Sequence, residues 1–454
     1  METLNNIVLT IQNYMSNYVL IIALLGAGLW FSFRLGFIQV RGFGEGMRRT
    51  FGGLFSKKGE AGADGMSSFQ ALATAIAAQV GTGNIAGAAT ALAIGGPGAI
   101  FWMWIAAFLG MATIYAEAIM AQKYKTVGAD GQVTGGPVYY IRAAFKGTFG
   151  KVLAGIFAIL ITLALGFMGN AVQSNSIAAS FHTAFGIPQW IMGLVVAVIA
   201  IFVFMGGMKR IAKVTETIVP FMAALYIIGS LIVIIYNYKN IPYAFASIFV
   251  GAFAPQSVVG GAAGATVKLA LTKGVARGLF SNEAGMGSTP HAHAVAKVNH
   301  PVEQGFVAMT GVFIDTFVVL NLTALVILTT KSIPSGKTGA ELSQYAFSTL
   351  YGKGGNIFIA ICMFFFAFST IIGWYFFGQA NVKYLFGPKA VKIYSVLAAV
   401  CVFLGSLAEV DLVWNMADCF NSLMVIPNIL ALFALSKVIS QVHKDYFTNF
   451  NKAK

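Results

Sequence analysis

The sequence predicts an all-α polytopic membrane protein, and three observations support that fold class. Of its 454 residues, 58% are hydrophobic and only 10% are charged, and the mean hydropathy is +0.78. A soluble domain of this length could not bury so much apolar surface. The apolar runs repeatedly reach the roughly 20 residues that cross a bilayer as a helix. The basic residues cluster in alternate loops, as in proteins that cross the membrane many times.

Hydropathy divides the chain into about eleven transmembrane helices. Their predicted bounds are roughly 15–33, 67–93, 98–122, 150–180, 188–207, 214–238, 260–290, 304–330, 355–379, 390–408 and 411–436. Basic clusters such as Arg48 with Arg49 and Lys209 with Arg210 all fall on one predicted side, which places the N-terminus outside and the C-terminus inside. The net charge of +14 therefore reflects topology, and a nucleic-acid partner is not expected.

The beginning of the chain argues against a cleaved signal peptide, and the cysteines argue against disulfides and metal sites. The first residues lack the positive stretch of a secretory signal peptide, so we expect the first apolar run to be retained as a span. The three cysteines, Cys362, Cys401 and Cys419, lie in apolar segments without metal-ligand spacing. Neither a disulfide, a zinc site nor any other cofactor is predicted.

Two spans contain glycine and polar residues at the depth where a lipid-facing helix shows Leu and Ile. These are QVGTGN at residues 79–84 and TKGVARG at residues 272–278. Close packing through small residues would account for either of them alone. An unwound helix would instead expose N–H groups suited to a carboxylate and carbonyl groups suited to a cation or an ammonium group. A zwitterionic amino acid needs both kinds of group at once.

The positions of the two breaks predict the organisation of the chain. If the first span is set aside, the remaining ten form two groups of five, and each break falls in the first span of its group. Because five is an odd number of membrane crossings, the two groups have opposite orientations in the membrane. The predicted divisions are an extra helix (1–40), a basic cytoplasmic loop (41–66), a first five-helix repeat (67–238), an outer interfacial segment (239–259), a second inverted repeat (260–436) and a basic tail (437–454). Within the second repeat, residues 332–355 form either a lid or an ordinary connector.

The depth of each residue in the membrane, counted along its helix from the centre of the span, predicts which residues of other spans lie beside the breaks. The fourth span is centred near Phe167 and Asn170, and the ninth near Ser369 and Thr370 with Trp374 one turn on. The two hydroxyls either bind sodium or bond back to a carbonyl one turn earlier. The aromatic side chains either close a small pocket or serve only for packing.

Ionisable residues inside spans indicate functional positions. Glu117 and Glu283 are predicted near cytoplasmic ends, where they would pair with basic loop residues in a gate. Arg277 and Asp315 are predicted as a buried pair. Simple interfacial placement is the alternative for each of the four.

Two sequence blocks resemble a known family. GGPGAIFWMWIAAFLG at residues 95–110 is similar to the signature of the alanine/glycine:cation (sodium:alanine) symporters, and GVARGLFSNEAGMGS at residues 274–288 resembles a second block of that family. The resemblance spans essentially the whole chain and implies a LeuT-type fold with a five-plus-five inverted repeat. It implies that the first break holds the substrate carboxylate and that carbonyls and hydroxyls bind a sodium ion. The predicted substrate-binding residues are Gln79, Thr82, Gly83, Asn84, Phe167, Asn170, Thr272, Gly274 and Trp374. The predicted sodium ligands are Ala77, Val80, Phe366, Ser369 and Thr370.

The resulting functional prediction is sodium-coupled symport of alanine and glycine by alternating access in a prokaryotic cell membrane, with the amino acid, the ion and the bilayer as partners. A proton-coupled carrier of the same fold is the alternative. An ion channel is less favoured, because no filter motif is repeated. An enzyme is not predicted: His291, His293 and His300 match no catalytic spacing, and we expect them on a solvated loop.

Overall fold

A computed structural model describes residues 10, 14–52, 65–254 and 267–450, and the described chain is almost entirely helical. In the first half the helices are α1 (Leu20–Arg34), α2 (Ile38–Arg41), α3 (Phe43–Phe51), α4 (Ser68–Gln79), α5 (Ala88–Gly95), α6 (Gly98–Lys123), α7 (Pro137–Ala144), α8 (Gly147–Ile161), α9 (Asn170–Phe185), α10 (Gln189–Phe204), α11 (Gly207–Tyr236) and α12 (Ile241–Phe253). A small antiparallel hairpin, β1 (Thr126–Val127) and β2 (Val133–Thr134), follows α6.

The second half continues in the same way. Its helices are α13 (Val267–Asn282), α14 (Pro290–Ala294), α15 (Pro301–Phe313), α16 (Asn321–Thr329), α17 (Gly339–Tyr351), α18 (Lys353–Phe386), α19 (Ala390–Leu407), α20 (Val410–Ala434) and α21 (Ser436–Asp445). Short 3₁₀ turns cover Tyr238–Asn240 and Ile333–Ser335, and π-helical turns cover Met15–Val19, Gly83–Gly87, Thr162–Gly169, Ile314–Leu320 and Tyr446–Phe450.

Seven helices of the described residues are long and apolar enough to cross a membrane. They are Gly98–Lys123, Gly147–Phe185, Gly207–Tyr236, Pro301–Thr329, Lys353–Phe386, Ala390–Leu407 and Trp414–Ala434. Shorter apolar helices cover Leu20–Arg34, Gly83–Gly95 and Gln189–Phe204. The predicted all-α polytopic class is therefore confirmed, whereas the count of eleven spans, their orientation and the inverted repeat stay predictions.

Helix starts near the breaks follow from local chemistry. The α4 helix begins with a capping box, in which the Ser67 hydroxyl accepts from the Gln70 N–H and the Gln70 side chain accepts from the Ser67 N–H, both at 3.1 Å. Gly96 separates α5 from α6 with a φ of +72°, a conformation that favours glycine. Pro97 directly after it cannot continue a helix but fits the start of the next one.

The α6 helix forms the centre of the packing, against α1, α12, α13 and α15. Its close contacts depend on glycine: a Cβ on Gly98 would lie 2.1 Å from the Gly251 carbonyl oxygen of α12. The α9 helix packs against both α18 and α19. Of the two interrupted helices, α4–α5 packs through α4 against α15 and α18. The other, α13–α14, packs against α6 and, through α14, against α18.

Two of the π-helical turns lie beside the interrupted helices, and a third packs on α18 next to them. Gly83–Gly87 follows the first break directly, and Ile314–Leu320 contacts both Gly83–Gly87 and α13. Thr162–Gly169 packs on α18. Such turns widen the helix by one residue and are frequent at functional sites, so the local geometry points to the same region as the breaks.

Candidate substrate and ion site

The first predicted break is present. The α4 helix ends at Gln79, and Val80 and Gly81 are non-helical before the chain resumes at Thr82. Two side-chain amides accept hydrogen bonds from the freed backbone: Asn84 Oδ1 from the Gly81 N–H at 3.0 Å, and the Gln173 Oε1 of α9 from the Thr82 N–H at 3.2 Å. The N–H groups at this break thus point at oxygen acceptors in a buried site.

Two buried oxygens at the same break have no hydrogen-bond partner among the described residues. They are Gln79 Oε1 and Thr82 Oγ1. The other atom of the Gln79 amide, Nε2, donates to the Asn282 carbonyl at 2.7 Å, which fixes the orientation of the side chain. A buried acceptor without a donor is costly, so a break that leaves two of them is suited to a ligand that donates hydrogen bonds.

The second break lies about ten residues beyond its predicted place. The α13 helix runs without interruption through residues 272–278, and the non-helical segment is 283–289 instead. Glu283, Gly285 and Gly287 there have φ values of +57°, +85° and +79°. Close packing explains the glycine that suggested the earlier position, since a Cβ on Gly274 would lie 2.3 Å from the Ala99 carbonyl oxygen of α6.

Thr272 and Gly274, both predicted to contact substrate, therefore lie within the continuous helix α13, and their role stays a prediction. Thr272 Oγ1 bonds to the Leu269 carbonyl of its own helix at 3.2 Å, and neither residue lies at a break. Asn170 Nδ2 donates to the Gly166 carbonyl at 3.1 Å, and its buried Oδ1 has no hydrogen-bond partner among the described residues, so its predicted contact with substrate stays a prediction. Phe167 packs edge-on against Tyr394 at a ring distance of 5.5 Å, which fits a packing role.

Asp315 connects the two breaks. Its carboxylate is fully buried and accepts from Asn84 Nδ2 at 2.7 Å, from Ser281 Oγ at 3.0 and 3.1 Å, and from Thr316 Oγ1 at 2.9 Å. Asn84 follows the first break and Ser281 precedes the second. The predicted Arg277–Asp315 pair is wrong, because Arg277 forms its ion pair with Asp418 of α20, 3.1 Å away.

The five predicted sodium ligands lie around one point between α4 and α18. Thr370 Oγ1 is 2.8 Å from the Ala77 carbonyl oxygen, 3.0 Å from that of Phe366 and 3.5 Å from that of Val80. Ser369 Oγ is 2.9 Å from the Phe366 oxygen and 3.4 Å from the Ala77 oxygen. Both hydroxyls also donate to the Phe366 carbonyl of their own helix. The arrangement is therefore compatible both with the predicted sodium site and with the alternative of a bond back to the preceding turn. Three carbonyls and two hydroxyls form a set of hard oxygen donors.

Trp374 and Glu283 meet at the second break. The Trp374 indole N–H and the Ser288 hydroxyl each donate to the Glu283 carboxylate. The ring of Phe280 packs edge-on against Trp374 at 5.9 Å. Glu283 therefore fixes the aromatic side chain that was expected to close the pocket, and the expected pairing of Glu283 with a basic loop residue is wrong.

Glu117 of α6 holds the backbone of the second break. Its carboxylate accepts from the Gly285 and Gly287 N–H groups, each at 2.9 Å, and from Asn428 Nδ2 at 2.6 Å. Its expected pairing with a basic loop residue is also wrong, since the side chain is fully buried against these donors. Charge-assisted bonds of this kind are roughly twice as strong as neutral ones, so Glu117 stabilises the non-helical segment.

Comparison with known proteins identifies the family. The sequence profile of the sodium:alanine symporter family matches residues 1–454. The chain belongs to this family. It is 42% identical over 447 residues to the sodium/alanine symporter AgcS of Methanococcus maripaludis (97% of each chain), and 41% identical to a probable sodium/glutamine symporter, GlnT, of Bacillus subtilis (98% of this chain, 91% of the other).

Among solved structures, the symporter is similar to the Eremococcus coleocola manganese transporter. The two share 13% identity with a TM-score of 0.53, over 86% of this chain and 82% of the other. At this identity the likeness shows a shared transporter fold and nothing about cargo. The family and the apolar helices make the chain a multi-pass cell-membrane protein that carries an amino acid by symport, and not an enzyme.

The three clustered histidines, His291, His293 and His300, are buried, so the expectation that they lie on a solvated loop is wrong. His291 bonds Asn381 Nδ2 at 2.8 Å through Nε2, and His293 bonds Gln304 Nε2 at 2.7 Å through Nδ1. Within the part of the chain that the structure describes, no group of three or more metal-binding side chains is present. His291 and His293 follow the second break and pack α14 against its neighbours.

Sequence reasoning missed several residues of the site. Gln173, Ser281 and Thr316 each bond to a residue of a break or to Asp315. A usable sign existed for Gln173, since it opens the polar run QSNS at residues 173–176 inside an apolar span. Ser281 lies within the second family block, but it comes after the segment 272–278 in which the break was expected, so it was not predicted as a site residue.

Proposed function

We propose that this symporter carries small neutral amino acids, alanine and glycine, together with sodium by alternating access. The observation that carries the proposal is a cluster of five oxygens. It consists of the Ser369 and Thr370 hydroxyls and the carbonyl oxygens of Ala77, Val80 and Phe366, each of which lies 2.8–3.5 Å from at least one hydroxyl. Carbonyl and hydroxyl oxygens are ligands that suit a hard monovalent cation. Two of them, at Ala77 and Val80, belong to the interrupted helix itself.

The substrate would bind at the same break. The N–H groups of Gly81 and Thr82 would donate to its carboxylate in place of the Asn84 and Gln173 side chains, at the positive end of the following half-helix. Its ammonium group would donate to Gln79 Oε1 and Thr82 Oγ1, the two buried oxygens without a partner in the described chain. Each end of a zwitterion thus has its own set of backbone or side-chain atoms.

Coupling follows from this shared backbone. Sodium fixes the carbonyls that end α4, and the substrate fixes the N–H groups one or two residues later. Each ligand therefore stabilises the arrangement that the other requires, which is a coupling free energy between two sites. The small size of the substrate is proposed from the family resemblance; one methylene is worth only about 1–3 kcal/mol, so alanine and glycine are both expected to bind.

A proton-coupled carrier is the second candidate, and Asp315 is the observation that favours it. A buried carboxylate that contacts residues on both breaks is placed to couple protonation to their arrangement. The two candidates differ in the ion that drives uptake.

Uptake by proteoliposomes distinguishes them. Radiolabelled alanine should accumulate when an inward sodium gradient is imposed with no pH difference, and glycine should compete. Accumulation that follows an imposed pH gradient and ignores sodium would favour the proton-coupled carrier.

A further inference from the structure

A cavity lies between the β1–β2 hairpin, α11, α14, α18 and the start of α19. It offers about 170 Å³ to the centres of water-sized molecules, and its lining includes Met208, His291, Phe376, Gln379 and Lys383. At about 10–15 Å³ for each water, this is room for about 11 to 17 waters, or for a small amino acid with part of its hydration shell. Gln379 Oε1 is buried without a hydrogen-bond partner among the described residues, so it can accept from a molecule in the cavity.

The α18 helix connects this cavity to the sodium cluster. Phe376 and Lys383 follow Thr370 on the same helix by six and thirteen residues. At about 1.5 Å of rise for each residue, the cavity begins about 9 Å from the cluster and reaches about 20 Å from it. Met208, which also lines the cavity, directly precedes Lys209 in a basic cluster that predicts the cytoplasmic side. The cavity therefore extends from the ion site towards the predicted cytoplasmic surface.

The turn of the β1–β2 hairpin lies at the far end of the cavity. There the Lys383 ammonium lies 2.6 Å from each carboxylate oxygen of Asp130. Both side chains line the cavity, and they are 15% and 31% exposed, which places the ion pair at the boundary between the cavity and solvent. The Asp130 carboxylate also accepts from the Gln132 N–H at 3.3 Å, and this bond holds it in the turn.

The base of the same hairpin packs on the second interrupted helix. A Cβ on Gly135 would lie 2.5 Å from the Ala294 Cβ, and one on Gly136 would lie 2.6 Å from the His291 ring. Gly136 has a φ of +124°, a conformation that favours glycine. The hairpin thus connects two helices: its base lies on α14 and its turn is paired with α18.

Hydrogen bonds lead from the cavity wall to the second break. His291 Nδ1 lies 2.7 Å from the Ser288 carbonyl oxygen, and the Ser288 hydroxyl donates to Glu283. A displacement of α14 that widens the cavity would therefore also change the arrangement of the break.

We propose that this cavity is the cytoplasmic release route of the symporter and that the Asp130–Lys383 ion pair is the gate at its end. A partly exposed ion pair is individually weak, so it can break and form again in every transport cycle. Once the pair is broken, the hairpin turn is released from α18 while its base stays on α14, and the hairpin moves with the interrupted helix. This inference rests on the proposed transport by alternating access.

Access to the cavity from the cytoplasmic side tests the gate. Ala380 lines the cavity, so Ala380→Cys reports on access when a membrane-impermeant, negatively charged methanethiosulfonate reagent is added to inside-out membrane vesicles. Each labelling rate is corrected by that of the same protein without Ala380→Cys, which accounts for the native cysteines. Adding Asp130→Ala should raise the labelling rate about two- to fivefold, the change expected for the loss of one partly exposed ion pair. Lys389→Ala, at an exposed lysine between α18 and α19, is the matched control and should leave the rate unchanged.

A second variant separates the gate from an effect of charge on the reagent. Lys383→Ala should raise the labelling rate by a similar factor, whereas simple attraction or repulsion of a charged reagent would change the rate in opposite directions in the two variants. Exchanging the charges, with Asp130→Lys and Lys383→Asp together, restores the pair and should return the rate to that of Ala380→Cys alone. Unchanged labelling in both single variants, or changes of opposite sign, overturns the gate.

The side of the membrane and the uptake assay keep this inference distinct from the proposed function. Labelling of Ala380→Cys by reagent added to right-side-out vesicles, and not to inside-out ones, would overturn the release route while sodium-driven alanine uptake remains intact. Absence of sodium-driven alanine uptake by the wild type would instead reject the proposed function, and the labelling rates would still decide whether the ion pair closes the cavity.

Discussion

Removing the Thr370 hydroxyl should weaken the coupling ion far more than the substrate. In Thr370→Ala the proposed site keeps four of its oxygens, at Ala77, Val80, Phe366 and Ser369, and loses the one that lies closest to the Ala77 carbonyl, at 2.8 Å. A polar contact to a charged group contributes about 1.5–3 kcal/mol. Since each 1.4 kcal/mol is tenfold, the sodium concentration for half-maximal uptake should rise about 10- to 100-fold.

The assay is alanine uptake by proteoliposomes across a series of sodium concentrations, at saturating alanine. Thr370→Ser keeps a hydroxyl and should stay within a few-fold of wild type. Thr310→Ala is the matched control, because Thr310 also bonds back to a carbonyl one turn earlier, that of Phe306 at 3.0 Å, but its hydroxyl faces Gly46 of α3. An unchanged sodium response in Thr370→Ala, with normal uptake, would refute the assignment of this cluster to the ion.

The remaining predictions concern the breaks and the C-terminal helix. Gly81→Ala should abolish sodium-driven uptake, since its Cβ would lie 2.3 Å from Thr370 Oγ1; uptake near the wild-type rate would contradict that contact. Asp315→Asn should lower uptake at least tenfold at every pH, measured in the same vesicles, because the carboxylate that joins both breaks is lost; full activity would exclude that link. Glu117→Gln should lower the free energy of unfolding by about 1–3 kcal/mol, seen as a lower melting temperature in detergent, because an amide cannot accept from both backbone N–H groups equally well; an unchanged melting temperature would argue against it. Burial, with the cations Arg41 and Lys444 nearby, lowers the pKa of His443 to about 4. The stability that α21 gains from neutral His443 should therefore fall as the pH drops from about 6.5 to 4. His443→Gln should remove that dependence on pH, as measured by hydrogen exchange of the tail.

The sequence was sufficient for the fold class and for the first break because both depend on local composition. Apolar runs of spanning length have few alternatives to membrane helices. Gly81 and Gly83, flanked by polar side chains at mid-span, mark a place where a helix is difficult to continue. Depth along the ninth span and the family resemblance together predicted that Ser369 and Thr370 lie beside the carbonyls of that break, and both hydroxyls do lie within 3.4 Å of the Ala77 carbonyl oxygen.

The second break was placed too early because glycine has two uses in membrane helices. Gly274 serves close packing against Ala99 of α6, which no local pattern distinguishes from a break. The true segment contains Gly285 and Gly287 with positive φ, and Glu117 stabilises it from a helix more than 160 residues away in the sequence. Such a tertiary contact is invisible without the fold.

Charge pairing failed as a prediction for the same reason. Arg277 and Asp315 were predicted as a buried pair, yet Arg277 pairs with Asp418 of α20. Asp315 faces Asn84 and Ser281 instead. Which side of a helix meets which neighbour depends on packing, and hydropathy alone does not determine it.

The central claim is that sodium and the amino acid stabilise each other through the first interrupted helix. Equilibrium binding of radiolabelled alanine with and without sodium, and of sodium with and without alanine, tests it most directly. The two affinities should change by the same factor, because coupling free energy is reciprocal, and the factor should collapse towards one in Thr370→Ala. Alanine binding that is independent of sodium in the wild type would contradict the account.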